Sequence, residues 1–291
     1  MTSPSVTTKA LTYFATTFAF SWGVTIGSWA LLPGGGFAKS YLTLVLMMAG
    51  PAIAALVCVF LFERGARRQM LGLFWRPNPW WLAAWLIPVL IAATSVAFTA
   101  LLSGHGLVGP AEGAIALARA QGYTKPVPIP LGVLNVIILS QALVFAALIN
   151  GAALTFTEEL GWRGYLYSLW RPFGFWRCAL GTGVIWGAWH APAILLFGHN
   201  YPDDRALGTA LFVPFCVLLS VIVTFVRDKG QSVIAAGITH GTINAVAGLT
   251  IFMIAAPRFP WNGLVGIGGY LALALSVALI VFLYRPAEDK P

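Results

Sequence analysis

The sequence is poor in charged residues and poorest in acidic ones. Of its 291 residues only 9% are charged, and Asp and Glu together number nine. Hydrophobic residues make up 59% of the chain, and the mean hydropathy is +0.83. A soluble domain of this composition would expose large apolar patches. These numbers therefore exclude a soluble globular protein and predict an integral, multi-pass membrane protein.

Cysteine is also scarce. The three cysteines, Cys58, Cys178 and Cys216, are odd in number, lie within or beside hydrophobic runs and show no Cys-x-x-Cys spacing. This pattern excludes a disulfide framework and indicates small apolar packing residues. Short segments of alternating polar and apolar residues are lacking too, which argues against a membrane β-barrel.

Long hydrophobic runs are what the sequence has in abundance. A bilayer core of about 30 Å is crossed by roughly 20 helical residues. Runs of this kind, bounded by Pro, Gly or charge, occur at residues 11–32, 41–62, 80–103, 132–157, 178–197, 207–226, 232–255 and 263–284. The sequence thus predicts an all-α, polytopic membrane bundle of about eight transmembrane helices. No repeat or linker divides it, so residues 1–291 are expected to form one domain.

The positive charges are distributed unevenly. The formal net charge is +8, but Lys and Arg flank hydrophobic runs, which indicates topology signals rather than a nucleic-acid partner. When alternate connections are assigned to opposite sides, five of the 17 basic residues fall on one side: Lys39, Arg119, Lys125, Arg205 and Arg258. The other 12 share the second side: Lys9, Arg64, Arg67, Arg68, Arg76, Arg163, Arg171, Arg177, Arg227, Lys229, Arg285 and Lys290.

The positive-inside rule makes the more basic side cytoplasmic. Both termini and the segment from Glu158 to Arg163 are then expected on that side, and in a prokaryote the membrane would be the plasma membrane. Membrane lipids are expected partners, because the arginines near Trp75 and Trp80 suit anionic headgroups at the interface.

Two adjacent glutamates stand where a membrane protein rarely carries charge. Glu158 and Glu159 follow the run 132–157, whereas the other acidic residues fall in polar connections or tails. Ionisable residues at such positions are functional by default. On a helix Arg163 lies one turn beyond Glu159 and can pair with it. Glu158 is rotated by about 100°, so we expect it to have different partners and to accept and return a proton.

Two further hydrophobic runs carry polar residues. In one, His190 follows Trp186 by a helical turn. This histidine can orient a water molecule, although a bond to a backbone carbonyl would also account for it. In the other, His240 and Asn244 share a helix face. They can act as a pair of neutral donors to an oxyanion, or as polar contacts between membrane helices.

Taken in order, these residues form three motifs: Glu158-Glu159-x-x-x-Arg163, Trp186-x-x-x-His190 and His240-x-x-x-Asn244. In a multispan protein they resemble the CPBP family, which comprises type II CAAX prenyl proteases with bacteriocin-processing and self-immunity proteins and is also called the abortive-infection family. The stretches Gly161-Trp-Arg-Gly-Tyr165 and Gly50-Pro-Ala-Ile-Ala54 are similar to the family as well. One departure is Trp186, where the family usually has Phe.

The resemblance implies a glutamate-dependent intramembrane endopeptidase with a polar cavity in the membrane and a motif-bearing core at about 132–255. It assigns water activation to Glu158 and His190, and the oxyanion hole to His240 and Asn244. The remaining motif residues become supporting ones: Glu159, Arg163 and Trp186. The implied substrate is a peptide or protein at the membrane, including prenylated CAAX proteins.

No cofactor is required by this chemistry. The zinc motif His-Glu-x-x-His is absent, although Glu158, His190 and His240 could supply three ligands to a divalent metal such as Zn²⁺. His105 and His199 lie in glycine-rich connections and receive no role.

Two other functions compete with catalysis. In a noncatalytic membrane scaffold or a bacteriocin self-immunity protein, the polar cluster would serve packing alone. A transporter would need broken helices in repeated halves, and the sequence shows no such symmetry. An endopeptidase that cuts near the cytoplasmic face is the leading prediction.

Overall fold

The structure, a computed structural model, describes residues 4–33 and 36–283. Arg285 and Lys290, assigned above to the more basic side, lie outside the described residues, as does the last residue of the run 263–284. The α-helices are α1 (Val6–Leu31), α2 (Phe37–Met47), α3 (Gly50–Phe62), α4 (Arg67–Leu71), α5 (Pro79–Ser103), α6 (Pro110–Ala120), α7 (Leu131–Ser140), α8 (Ala147–Leu154), α9 (Tyr167–Trp170), α10 (Phe175–Trp189), α11 (Ala191–Phe197), α12 (Arg205–Gly230), α13 (Val233–Phe252) and α14 (Ile267–Leu283). Two π-helical stretches, Gln141–Ala146 and Thr155–Leu166, join α7, α8 and α9.

The prediction of an all-α, polytopic membrane bundle is confirmed. Among the described residues six helical stretches are long and apolar enough to cross a membrane: Ala38–Phe62, Pro79–Ser103, Leu131–Phe173, Phe175–Phe197, Arg205–Gly230 and Val233–Phe252. The other two predicted spans, 11–32 and 263–284, correspond to α1 and α14, which are helical but not long or apolar enough to be counted with these six. Threonine and serine lower the hydropathy of the 26-residue α1, and α14 is an apolar helix of 17 residues in its described part.

The helix ends fall on two faces of the bundle. The terminal face holds the start of α1, near Glu63, the end of α14 and the connections 63–78 and 231–232. There the Val233 amide donates to the Gly72 carbonyl at 3.0 Å. The distal face holds the connections 104–109, 198–204 and 253–266. These are joined by the Ala255 amide, which donates to the Gly106 carbonyl at 2.9 Å, and by the Tyr201 hydroxyl, which donates to the Val265 carbonyl at 3.2 Å.

A π-helix carries both glutamates. The stretch Thr155–Leu166 is almost entirely buried and packs against α3. Contact with α3 is close at Gly161, where an added Cβ would come within 2.5 Å of Pro51. Any larger side chain would push the glutamate-bearing stretch away from α3. Stretches of π-helix occur mostly at functional sites, because the extra residue per turn re-aims the side chains.

The helix that carries His240 packs equally closely against the helix that leads to Glu158. A Cβ added to Gly241 of α13 would collide with the backbone of Gly151 in α8. Small residues allow such backbone approach between membrane helices. These two helices therefore set the distance between the two halves of the candidate site.

Gly241→Ala is expected to destabilise the protein by about 1–3 kcal/mol, because overpacking forces the two backbones apart. The thermal unfolding midpoint in detergent measures this loss. Gly248→Ala on the same helix is the matched control, since its added Cβ meets only the Phe252 side chain at 3.6 Å. The control should leave the midpoint unchanged or slightly raised, as replacing a helical glycine by alanine favours the helix. Equal midpoints for the two variants would contradict the close packing.

Candidate active site

A cavity of about 310 Å³ lies between α2, the π-helix Thr155–Leu166, α10, α12 and α13. Polar side chains from all three motifs line it: Glu158, Trp186, His190, His240 and Asn244. Apolar side chains, among them Met47, Phe212 and Leu264, form much of the remaining wall. The structure thus brings the predicted water-activating and oxyanion residues to one chamber within the bundle.

Glu159 and Arg163 do not line the cavity but lie behind it. Both side chains are buried, and the Arg163 guanidinium donates to Glu159 Oε1 at 3.0 Å, the ion pair predicted from their spacing. The same oxygen is 2.9 Å from His240 Nδ1. The Arg163 guanidinium also lies 4.6 Å from the ring centre of Trp186. Glu159 thereby joins the π-helix to α13 across 81 residues of sequence.

Glu158 has a separate partner. Its Oε2 accepts a hydrogen bond of 2.9 Å from the indole nitrogen of Trp186, and its side chain is only 3% exposed. Of the two adjacent carboxylates, one therefore faces the cavity and the other is fixed by two basic side chains. An apolar site with one indole donor holds a carboxylate that can take up a proton during a reaction.

Trp186 also holds the second-motif histidine. His190 Nδ1 is 2.8 Å from the Trp186 carbonyl oxygen. A carbonyl oxygen can only accept, so Nδ1 carries a proton and Nε2 of the neutral ring carries the lone pair. The bond to a backbone carbonyl, considered above as the alternative account of His190, is present. It leaves His190 with an acceptor nitrogen in the cavity wall. Trp186 thus contacts Glu158 through its ring and His190 through its backbone.

The bonding of His240 changes the expected chemistry of the third motif. Nδ1 faces a carboxylate oxygen that also accepts from Arg163, so this nitrogen is the donor. A neutral ring would then have only a lone pair at Nε2. His240 can donate to an oxyanion through Nε2 only when both nitrogens are protonated, which differs from the neutral donor expected from sequence. Asn244 is exposed to the cavity and can donate through its amide in any state.

His199 also lines the cavity, although no role was assigned to it in the sequence analysis. Its ring lies parallel to that of His190, with ring centres 6.4 Å apart. Burial lowers the pKa of His199 to about 4, so the ring is uncharged near neutral pH. A connection, residues 198–204, carries it back over the cavity, and no local sequence pattern signals such a return.

A metal site does not fit the residues present. Within residues 4–33 and 36–283, no three His, Cys, Asp or Glu side chains come close enough together to hold a metal ion. The set Glu158, His190 and His240 is therefore not brought together as a metal-binding group.

The segment from Glu158 to Arg163 has contacts in two directions. The Arg163 carbonyl accepts from Arg227 Nε at 2.9 Å, and Arg227 packs against Gly72 on the terminal face. The Glu158 side chain lines a cavity that His199 and Leu264 of the distal connections also line. The expectation that the segment lies on the cytoplasmic side stays a prediction.

Fold and site together define a polytopic membrane protein with an acidic and histidine-lined chamber inside its helical bundle. Residues 140–246 match the family model of type II CAAX prenyl endopeptidases, described as Rce1-like. A segment of 94 residues is 33% identical to CAAX prenyl protease 2 of Methanococcus maripaludis and covers 30% of this chain and 34% of that protein. The region matched by the family model holds all three motifs, and both comparisons support the resemblance to the CPBP family that the motifs indicated. The chain spans about a third of the length of this curated relative.

Proposed function

We propose that the protein is a glutamate-dependent endopeptidase that hydrolyses peptide bonds of membrane-associated polypeptides. The observation that carries the proposal is the double role of Trp186, which donates to Glu158 and accepts from His190. One residue thereby fixes a carboxylate and an imidazole on the wall of the same cavity. A carboxylate and an imidazole with a lone pair are the two acceptors that can hold a water molecule and remove its proton.

In the proposed reaction, Glu158 and His190 orient a water molecule whose oxygen attacks the scissile carbonyl carbon. The proton released by the water passes to Glu158 and then to the leaving amine when the C–N bond breaks. The carbonyl oxygen becomes negatively charged in between. The Asn244 amide and doubly protonated His240 stabilise it, because fixed donors in a site shielded from water act strongly on developing charge.

The supporting residues balance the charges of this protonation state. With both glutamates ionised, Arg163 and protonated His240 balance the two negative charges. Buried charges persist in proteins when they are paired in this way. Glu159 therefore acts in the proposal by holding His240 as a cation, and no metal or other cofactor takes part in any step.

The similarity to type II CAAX prenyl endopeptidases adds a substrate class to the proposal. The name of the relative from Methanococcus maripaludis refers to prenylated CAAX proteins. Transferred to this chain, it suggests a peptide presented at the membrane surface, with lipid modification as one form of anchoring. We also propose a single domain in residues 1–291 and a plasma-membrane location in a prokaryotic cell.

Replacing His190 with glutamine tests the proposal. The amide lacks the basic ring nitrogen that orients the attacking water against Glu158, and the loss of this assistance is expected to lower kcat for a quenched fluorogenic peptide by about 10²- to 10⁴-fold. His105→Gln is the matched control, because His105 bonds Ser103 in a distal connection away from the cavity. Hydrolysis by His190→Gln at the rate of the control would contradict the catalytic role. A purified wild-type protein that cuts no membrane-associated peptide would favour the noncatalytic scaffold.

A further inference from the structure

The cavity extends from the middle of the bundle to the distal connections. On α12 its lining residues lie between Phe212 and Leu219, and on α13 they lie between His240 and Ala247. Neither set reaches the terminal-face end of its helix. The distal connections contribute directly through His199, Asn200, Leu264 and Val265. None of its lining residues comes from the terminal-face connections 63–78 or 231–232.

The opposite end of the cavity is closed by buried charge. Glu159, Arg163 and His240 lie between the cavity and the terminal face, and each side chain is at most 5% exposed. Behind them Arg227 donates to the Arg163 carbonyl and packs against Gly72 of the connection 63–78. A polypeptide arriving from the terminal face would have to break this network to reach Glu158.

The charge distribution indicates which compartment the distal face meets. The basic residues assigned to the distal side number five of 17, and the other 12 are on the side of the termini. The positive-inside rule makes the terminal face cytoplasmic. The open end of the cavity then faces away from the cytoplasm.

We infer that the cavity admits its substrate from the extracytoplasmic side, and that the substrate is an exported or membrane-anchored polypeptide with apolar side chains near the scissile bond. This rests on the proposed peptidase function. The apolar preference follows from the side chains beside the catalytic groups, which include Met47, Phe212 and Phe215. A peptide tail presented at the cytoplasmic surface would meet the closed, charged end instead.

Thiol labelling tests the direction of access without depending on activity. Ala247→Cys places a thiol on the cavity wall, and it is made in a Cys216→Ala background because Cys216 also lines the cavity. Two exposed glutamines provide matched reporters in the same background: Gln121→Cys in a distal connection and Gln69→Cys in α4 on the terminal face. A membrane-impermeant methanethiosulfonate is applied to sealed right-side-out vesicles, before and after permeabilisation.

Ala247→Cys and Gln121→Cys should both be modified from outside, and Gln69→Cys only after permeabilisation. Labelling of Ala247→Cys together with Gln69→Cys would overturn the direction of access, and labelling of Gln121→Cys only from inside would overturn the extracytoplasmic assignment. Val265→Cys, at the mouth of the cavity, serves as the second reporter if Ala247→Cys does not fold.

The same vesicles separate this inference from the proposed function. Wild-type protein should hydrolyse an impermeant apolar quenched peptide added outside intact right-side-out vesicles, whereas inside-out vesicles should require permeabilisation. Hydrolysis by intact inside-out vesicles alone would contradict extracytoplasmic access. If labelling follows the expected pattern and no vesicle hydrolyses the peptide even after permeabilisation, the access route stands and the peptidase function fails.

Discussion

Replacing Glu158 with glutamine is expected to lower peptide hydrolysis by about 10³-fold or more while leaving the protein at least as stable as the wild type. The amide has nearly the shape of the carboxylate and still offers an oxygen to the Trp186 indole, so the cavity wall is preserved. It cannot accept the proton of the attacking water. The loss should therefore fall on kcat, with KM nearly unchanged.

The measurement is the hydrolysis of a quenched peptide by purified protein in detergent, together with the thermal unfolding midpoint. Glu112→Gln is the matched control, because Glu112 is exposed at the start of α6 and does not line the cavity. The control should retain both activity and midpoint. Equal hydrolysis rates for the two variants would show that Glu158 does not remove a proton. A large fall in the midpoint of Glu158→Gln would indicate a packing role instead.

Much of the fold follows from the sequence because a helix in a bilayer must be long and apolar, and such runs are visible without any knowledge of packing. The limit is visible in α1, whose buried threonines face other helices. Composition alone predicts α1 only weakly as a transmembrane helix, because composition does not distinguish a polar residue that faces protein from one that faces lipid. The π-helix around Glu158 was likewise not predicted, because its geometry depends on contacts such as that of Gly161 with Pro51.

The candidate site was predictable where it depends on spacing along one helix. The Glu159–Arg163 pair is separated by one turn, and the structure contains it. The contact of His240 with Glu159 joins two helices far apart in sequence, so spacing could not reveal it. Without that contact the donor role of His240 Nδ1 could not be derived. His199 and the direction in which the cavity opens were missed for the same reason, since both depend on how connections fold back over the helices.

Glu159→Gln is expected to be the most destabilising substitution of a motif residue. It leaves the Arg163 guanidinium buried without its carboxylate and replaces the charged acceptor of His240 Nδ1 by a neutral amide oxygen. Breaking a buried ion pair from one side costs about 3–5 kcal/mol. In a domain of this size that corresponds to a fall of about 10 °C in the unfolding midpoint. Glu112→Gln again provides the exposed Glu-to-Gln control.

A double variant distinguishes a coupled pair from two independent contacts. Arg163→Met alone removes one of the two basic partners of the buried Glu159 carboxylate and leaves its charge balanced less well. Glu159→Gln with Arg163→Met removes both charges and keeps the volume near Trp186 filled. Because the penalty in each single variant is a buried charge that has lost a partner, the double variant should unfold at a higher temperature than either one. A midpoint lowered by the sum of the two single effects would contradict coupling.

Activity should not return with stability in this double variant. Without the Glu159 carboxylate His240 has no partner that holds it as a cation, so its Nε2 cannot donate to the oxyanion. Loss of one such donor costs about 10²- to 10³-fold in kcat. Measurements of stability and of activity thereby distinguish the roles of the two adjacent glutamates. Substitution of Glu158 removes catalysis from a stable protein, and substitution of Glu159 lowers stability and catalysis together, with only stability recovered by removing Arg163. Recovery of both in the double variant would mean that His240 acts without Glu159.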